Sequence, residues 1–359
     1  MSWRVRSSAR LNNKRSSRDG NNQAIAPSKR TMRKAIPMVA ASLLALTSAC
    51  ASSGKAEPRK DHPAPEASRA TEATSLGAGE LIVFERHVPG AEEPDLYTVK
   101  PDGSGLKFLR SPGGYPHWSP DGSQLAFSAC MNPPDCTTTL ALLDRETGKV
   151  HWFPSPDPEL WIGCGVWAPS GDRVACGAYG EEPPRPERNG IYSIRVSDAK
   201  GLTRITANPG GSDEPLAYSP DGKRLLFVRE GSAPRGPANQ ALFVTPISGG
   251  QPQRITPWGF TDDWADWSPD GRTIVFGTNG FLYRVNPNGH GLAKIRLQTD
   301  GPAQAFDVGF SPDGKRIVFS LVSAPGIHTA RLDGSDVQRL TSSPTTEGDH
   351  HADWGAAPR

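Results

Sequence analysis

The strongest constraint on this chain is a short pattern that returns along its length: an aromatic residue, Ser-Pro-Asp-Gly, and an apolar run ending in Phe. It stands at Trp118 to Gly122 with Leu125-Ala126-Phe127, and at Tyr218 to Gly222 with Leu225-Leu226-Phe227. It returns at Trp267 to Gly271 with Ile274-Val275-Phe276, and at Phe310 to Gly314 with Ile317-Val318-Phe319. A variant copy, Trp167-Ala168-Pro169-Ser170-Gly171, precedes Val174-Ala175-Cys176. Self-similarity at such a period marks a repeat architecture, in which each unit covers its apolar faces with its neighbours.

The pattern is turn chemistry. Pro presets φ at the first turn position, Asp bonds the backbone two residues on, and Gly accepts the left-handed conformation that closes a hairpin. A second hairpin follows in each copy: Leu96-Tyr97-Thr98-Val99 runs through Pro101-Asp102-Gly103 to Leu106-Lys107-Phe108-Leu109, and Ile327–Ala330 through Asp333-Gly334 to Val337–Thr341. Equivalents are Ile191–Thr206, Leu242–Thr256, Phe281–Ile295 and Leu140–Phe153, so each unit holds four strands. A total of 38 Gly and 35 Pro suits many short strands and tight turns.

The aromatic anchors are spaced 49, 51, 49 and 43 residues apart, and a further step of 44 reaches Trp354. Leu81-Ile82-Val83-Phe84 matches the second strand of a unit that lacks its first. The two ends complete each other, with an inner strand from residues 350–355 and three strands from 80–110. The expected fold is therefore all-β, a six-bladed β-propeller of four-stranded antiparallel blades over residues 79–359, closed by pairing of N- and C-terminal strands in one blade. These copies resemble the propeller repeats of the TolB family, which also occur in prolyl-oligopeptidase-like peptidases. The TolB resemblance implies a non-catalytic binding protein. The peptidase resemblance would require a Gly-x-Ser-x-Gly elbow, which this sequence lacks.

Ahead of the repeats, Arg33-Lys34 and the uncharged, mostly apolar stretch Ala35 to Ala49 read as a secretory signal over residues 32–49. Leu46-Thr47-Ser48-Ala49-Cys50 resembles the lipobox of bacterial lipoproteins, which implies acylation of Cys50; an ordinary cleaved signal is the other reading. Residues 1–31 form a basic extension, disordered or preceding the true start, and residues 50–78 a flexible tether. The expected location is outside the cytoplasm, lipid-anchored at the outer side of the cell membrane or at the periplasmic face.

Residues 1–34 hold ten basic residues and one acid, which leaves residues 50–359 with 30 basic and 37 acidic side chains, a formal charge of −7. That sign disfavours nucleic acid. Acids gather just before the inner-strand anchors, at Asp263 with Asp266, at Asp307, and at Asp349-His350 with Asp353. In a ring these meet at the channel mouth beside Trp161 and Trp264, and they are the candidate ligand site for a basic peptide segment, a cation (a divalent metal ion among them) or a sugar; no cofactor is otherwise expected. The connections after the second and fourth strands, among them Cys130–Thr139, Tyr179–Gly190, Ser155–Gly165 and Ala207–Pro215, share that face and vary most.

In an exported chain the four cysteines after Cys50 suggest disulfides, Cys130–Cys136 around one loop and Cys164–Cys176 across one hairpin; zinc held by thiolates is the rival reading. The function expected is a membrane-anchored adaptor or scaffold that binds an envelope or secreted protein. The alternative is a metal-dependent small-molecule enzyme, lactonase- or lyase-like, working at the channel mouth.

Overall fold

In a computed structural model the described residues are 76–91, 93–130, 138–157, 159–180, 185–231, 239–261, 264–344 and 348–358. The expected signal, Cys50 and the expected tether up to residue 75 lie outside them.

The chain begins with β1 (Leu81–Arg86), β2 (Asp95–Val99) and β3 (Lys107–Arg110). Blade 1 follows as β4 (Gly114–Trp118), β5 (Gln124–Cys130), β6 (Thr138–Asp144) and β7 (Val150–Phe153). Blade 2 is β8 (Leu160–Trp167), β9 (Arg173–Gly180), β10 (Gly190–Arg195) and β11 (Thr203–Arg204). Blade 3 is β12 (Ser212–Tyr218), β13 (Arg224–Glu230), β14 (Gln240–Pro246) and β15 (Gln253–Arg254). Blade 4 is β16 (Ala265–Trp267), β17 (Ile274–Thr278), β18 (Phe281–Val285) and β19 (Ala293–Lys294). Blade 5 is β20 (Ala305–Phe310), β21 (Arg316–Leu321), β22 (Ile327–Arg331) and β23 (Gln338–Arg339). The last strand, β24 (Asp349–Gly355), pairs antiparallel with β1, with Ile82 opposite Trp354 and Arg86 opposite Asp349. The closing blade is thus β24-β1-β2-β3, and all six sheets are four-stranded, as the repeat count requires.

Packing makes the ring. Six clusters of buried apolar side chains each join one blade to the next: blade 1 to 2 through Leu140 and Ile194, 2 to 3 through Ile191 and Phe227, 3 to 4 through Leu242 and Phe276. The others join 4 to 5 through Leu282 and Phe319, 5 to the closing blade through Val318 and Trp354, and the closing blade to 1 through Val83 and Phe127. Both faces of each inner pair are covered, which is why β1 is buried at every residue. The repeat's Phe supplies the centre of each sheet: Phe84, Phe127, Phe227, Phe276 and Phe319 are fully buried. Cys176 takes that place in blade 2 and is a free, buried thiol. The expected Cys164–Cys176 bridge is therefore absent. Opposite Cys176 in the ladder stands Tyr192 of β10, and on the β8 side the register breaks between Gly163 and Val166. Cys136 lies outside the described residues.

The turns work as their residues predict. Gly122 N–H donates to Ser119 O at 2.8 Å with Gly122 at φ +68°, and Ser123 N–H donates to the Asp121 carboxylate at 3.0 Å. Ser119 Oγ also donates to Asp121 and accepts from Gln124 N–H, a device repeated at Ser219, Ser268 and Ser311. Two expected connections are shorter than the sequence suggests. Leu160 to Gly165 belongs to β8, and Ser212 to Pro215 belongs to β12, because the inner strands continue through a bulge toward the mouth.

Candidate functional site

Two positions of the inner strand, one and three residues before the anchor, carry the polar groups of the candidate site. One residue before the anchor stand His117, Val166, Ala217, Asp266, Gly309 and Asp353 around the ring. Asp266 accepts from Trp267 N–H at 2.6 Å and, across the blade boundary, from Phe310 N–H at 2.7 Å. Asp353 likewise accepts from Trp118 N–H of blade 1 at 2.7 Å, and Trp167 Nε1 of blade 2 donates to His117 O at 3.0 Å. These groups tie neighbouring inner strands together.

Three residues before the anchor the chain is bulged. Asp307, His351 and Tyr115, in three consecutive blades, all hold left-handed backbone at φ 55°, 48° and 52°. Non-glycine residues rarely adopt this conformation, and such strain clusters at functional sites. The bulges bring the three side chains together. Tyr115 stacks on His351 with ring centroids 4.9 Å apart, and the other side of the stack is Trp264, 4.8 Å from His351. Trp264 in turn lies flat on His117, 4.8 Å and 9° away. Blade 4 stands opposite blade 1 in a six-membered ring, so the Trp264 indole spans the channel. Tyr115, His351, Trp264 and His117 form a continuous stopper.

The polar edge of the stopper is carboxylate. His351 Nδ1 lies 3.0 Å from Glu85 Oε2 and its Nε2 lies 3.8 Å from Asp307 Oδ1. The Tyr115 N–H donates to Glu85, and His351 N–H donates to Asp307 at 3.2 Å. His350 Nδ1 sits 3.3 Å from Asp307, against the rings of Phe306 and His87. Burial pushes Glu85 and Asp307 up, but the adjoining histidines and N–H donors outweigh it and hold both carboxyls below their ordinary range. Asp266 and Asp353 have no cation beside them. Enclosure by protein raises Asp266 to about 6 against its two N–H donors, and raises Asp353 to about 7, with Asp266 adding to the rise. Both keep part of their surface open to the channel. Burial, with His351 alongside, lowers His117 to about 3.

The residues expected at the mouth divide. Asp266, Asp307, His350, Asp353 and Trp264 do meet at the axis. Asp349 does not serve there. Its carboxylate takes Arg86 Nε and Nη2 at 2.7 and 2.8 Å and Thr341 Oγ1 at 2.6 Å, and the residue is 1% exposed. Trp161 packs within blade 2, on the Tyr179 ring and over Gly163, where a Cβ would sit 2.0 Å from the indole. Asp263 lies outside the described residues. Among the described residues no three His, Cys, Asp or Glu side chains are grouped to hold a metal ion, so the divalent cation suggested by the acids finds no ligand set there. Sequence reasoning missed Glu85, His87, Tyr115 and His117. Aligning the repeats by their anchors would have exposed the last two, since they fall in the same columns as the acids.

No protein-family model matches this chain. An uncharacterized protein of Agrobacterium fabrum is 28% identical over 143 residues, which are 39% of this chain and 45% of that relative. The chain thus matches less than half the length of that relative. Among solved structures, TolB from Acinetobacter baumannii superposes with a TM-score of 0.57 at 20% identity, over 78% of this chain and 67% of that one. A putative TolB from Agrobacterium tumefaciens gives 0.53 at 18% identity, over 79% and 100%. A hydrazine synthase chain from Kuenenia stuttgartiensis gives 0.60 at 15% identity, over 80% and 48%. At these identities the likeness shows the fold alone, and a fold found in part of a synthase chain does not by itself assign an activity.

Proposed function

We propose that this protein is a membrane-anchored, extracytoplasmic propeller that binds another protein through the face bearing the connections after the second and fourth strands. The observation that carries the reading is the stopper. With Trp264 packed between His117 and His351, the axis at that level is filled by side chains, and recognition falls to the face around the mouth. Of eight exposed large apolar side chains among the described residues, Val88, Tyr115, Trp258, Phe281 and Val322 belong to that face. Exposed aromatics and aliphatics around a polar mouth suit a protein partner. The TolB-like repeats support the same reading, and the signal with its lipobox-like Cys50 supports export and lipid anchoring. No observation favours the metal-dependent enzyme.

The test is cross-linking in intact envelopes with two paired variants. Tyr115→Asp with Trp258→Asp should abolish capture of the partner taken by the wild type, whereas Leu106→Asp with Ile247→Asp, on the opposite face, should preserve it. Equal capture by both pairs, or loss only in the second, would refute the assignment of the face. Replacing Cys50 by Ser should release the protein from membranes or block its processing; unchanged membrane partition would refute the anchor.

A further inference from the structure

In blades 1 to 5 a short turn, Ser119–Gly122 and its copies, joins the first strand covalently to the second. The closing blade has no such turn, because its first strand is β24 and its second is β1. The turns also touch one another around the ring. A Cβ added to Gly222, Gly271 or Gly314 would lie 3.8, 3.8 or 3.4 Å from Pro169, Pro220 or Pro269 in the turn of the preceding blade. Gly122 of blade 1 has no preceding turn to meet. A Cβ there would instead lie 2.2 Å from Ala356 O, in the segment that follows β24. Beside this gap, in the β6–β7 turn, stands Arg145. Its N–H donates to Ser123 O at 2.9 Å, as Val196 donates to Asp172 O in blade 2 and Ile247 to Lys223 O in blade 3. Blade 1 thus carries a cation where those blades carry an apolar residue. The residue is only 2% exposed, and its guanidinium lies over the Trp118 ring, 5.0 Å from the centroid. Nε donates to Gly77 O at 3.1 Å, Nη2 donates to Gly79 O, and Nη1 donates to Gly122 O at 3.2 Å and to Ala356 O at 3.3 Å. Leu76 N–H donates back to Arg145 O at 3.2 Å. Burial lowers the guanidinium below its ordinary range with no acid to offset it, so these carbonyls stand in for water around the charge.

We propose that Arg145 is a clasp that replaces the missing inner turn of the closing blade: it holds the chain entering β1 and the chain leaving β24 to blade 1, and so keeps the ring shut at the β24–β1 seam. The four carbonyls come from three separate stretches of chain, the segment before β1, the inner turn of blade 1 and the segment after β24. Arginine suits the task because its planar fork offers three nitrogens, whereas lysine offers one. Opening the seam strips the buried cation of Gly77, Gly79 and Ala356 together, so the two ends are released as one event. The clasp also fixes where the chain ahead of the ring arrives. It meets the base of blade 1, on the face opposite the connections proposed to bind a partner. The clasp does not depend on that partner.

Hydrogen exchange of the full-length chain, read peptide by peptide by mass spectrometry, is the test. In Arg145→Met the amides of β1 and β24 should exchange at least about tenfold faster than in the wild type, while those of β13 and β14 in blade 3 keep their rates. Arg145→Lys keeps the charge but loses the fork, and its β1 and β24 amides should exchange at a rate between the two. Circular dichroism checks that the variants fold. Should Arg145→Met fail to fold, Arg145→Lys still decides, with β1 and β24 expected to exchange at least about threefold faster than in the wild type and blade 3 unchanged. Unchanged exchange in β1 and β24, an equal rise in blade 3, or a rise confined to β6 and β7 would each overturn the proposal.

Discussion

Arg86 and Asp349 stand 263 positions apart in sequence and join the first and last strands of the ring through two hydrogen bonds, 2.7 and 2.8 Å long. Blade 3 holds the same pair between adjacent strands, Arg229 to Asp213, both bonds at 2.7 Å. The two differ in surroundings. The Arg86 side chain is 8% exposed and that of Arg229 is 20% exposed, so only Arg229 has ready access to water once its partner is removed. Asp349→Ala should therefore cost roughly 3–5 kcal/mol by leaving a buried cation unpaired, and Asp213→Ala clearly less. Urea denaturation of both variants measures the difference. Equal costs, or an Asp349→Ala variant within about 1 kcal/mol of wild type, would show that the Arg86–Asp349 pair does not hold the ring closed.

His351 lies beside both Glu85 and Asp307, which have His87 and His350 as their further histidine neighbours, and its removal has a pH signature. Glu85 and Asp307 are both held below their ordinary range, so they contribute stability that is present above about pH 4 and lost as pH falls through their lower folded values. In His351→Leu both carboxyls lose that partner while staying enclosed, and ionising them then opposes folding. The stability gap between wild type and variant should be small near pH 4 and widen as pH rises toward 6, the range in which the carboxyls ionise while a histidine can still carry its charge. Thermal unfolding across that range is the measurement. A gap that stays constant would mean that His351 acts by packing on Tyr115 and Trp264 alone.

The fold was legible because its signal is local. Ser119-Pro120-Asp121-Gly122 and its copies carry their turn geometry in four adjacent residues, and the count and spacing of copies then determine the number of blades. The site was only half legible because ring closure assembles it. Tyr115, Trp264, Asp307 and His351 come from four blades, and each reaches the axis through a bulge or strand start that no short-range pattern announces. Asp349 misled for the same reason. Its sequence neighbours His350 and His351 face the mouth, while its own side chain turns to Arg86, distant in sequence but opposite it on the adjacent strand of the closing blade. Cys176 misled through its position: its side chain fills the place of the blade's central Phe and packs as a buried apolar group.

Cysteine chemistry follows from that placement. Burial, with Glu214 nearby, drives the Cys176 thiol far above its ordinary range, so almost no thiolate forms in the native state. Cys176 should resist maleimide in the folded protein and react only after unfolding. Peptide mapping without reduction should recover the proposed Cys130–Cys136 bridge, with Cys176 alkylated only in the denatured sample. Recovery of Cys176 in a disulfide would contradict the packing described for blade 2.

Asp353 gives the opposite pH dependence to Glu85 and Asp307. Its carboxyl is raised to about 7, so the fold favours the protonated group, and stability is lost as pH climbs from about 4 through about 7. Asp353→Asn removes the ionisation and keeps an oxygen to accept from Trp118 N–H, whose bond to Asp353 ties the closing blade to blade 1. At pH 8.5 the variant should be the more stable protein by roughly 1–2 kcal/mol, less than the full shift would give because the carboxyl touches channel water. At pH 5, where Asp353 is protonated in the folded protein but ionised in the unfolded chain, the advantage should shrink to less than half of that value. His117, lowered to about 3, adds stability that is complete above about pH 6.5 and is lost on acidification, but it is common to both proteins and cancels in the comparison. Paired urea titrations at the two pH values decide the matter: an advantage for Asn that is absent at pH 8.5, or that grows toward pH 5, would mean that Asp353 is ionised at little cost and that its role is confined to the bond with Trp118.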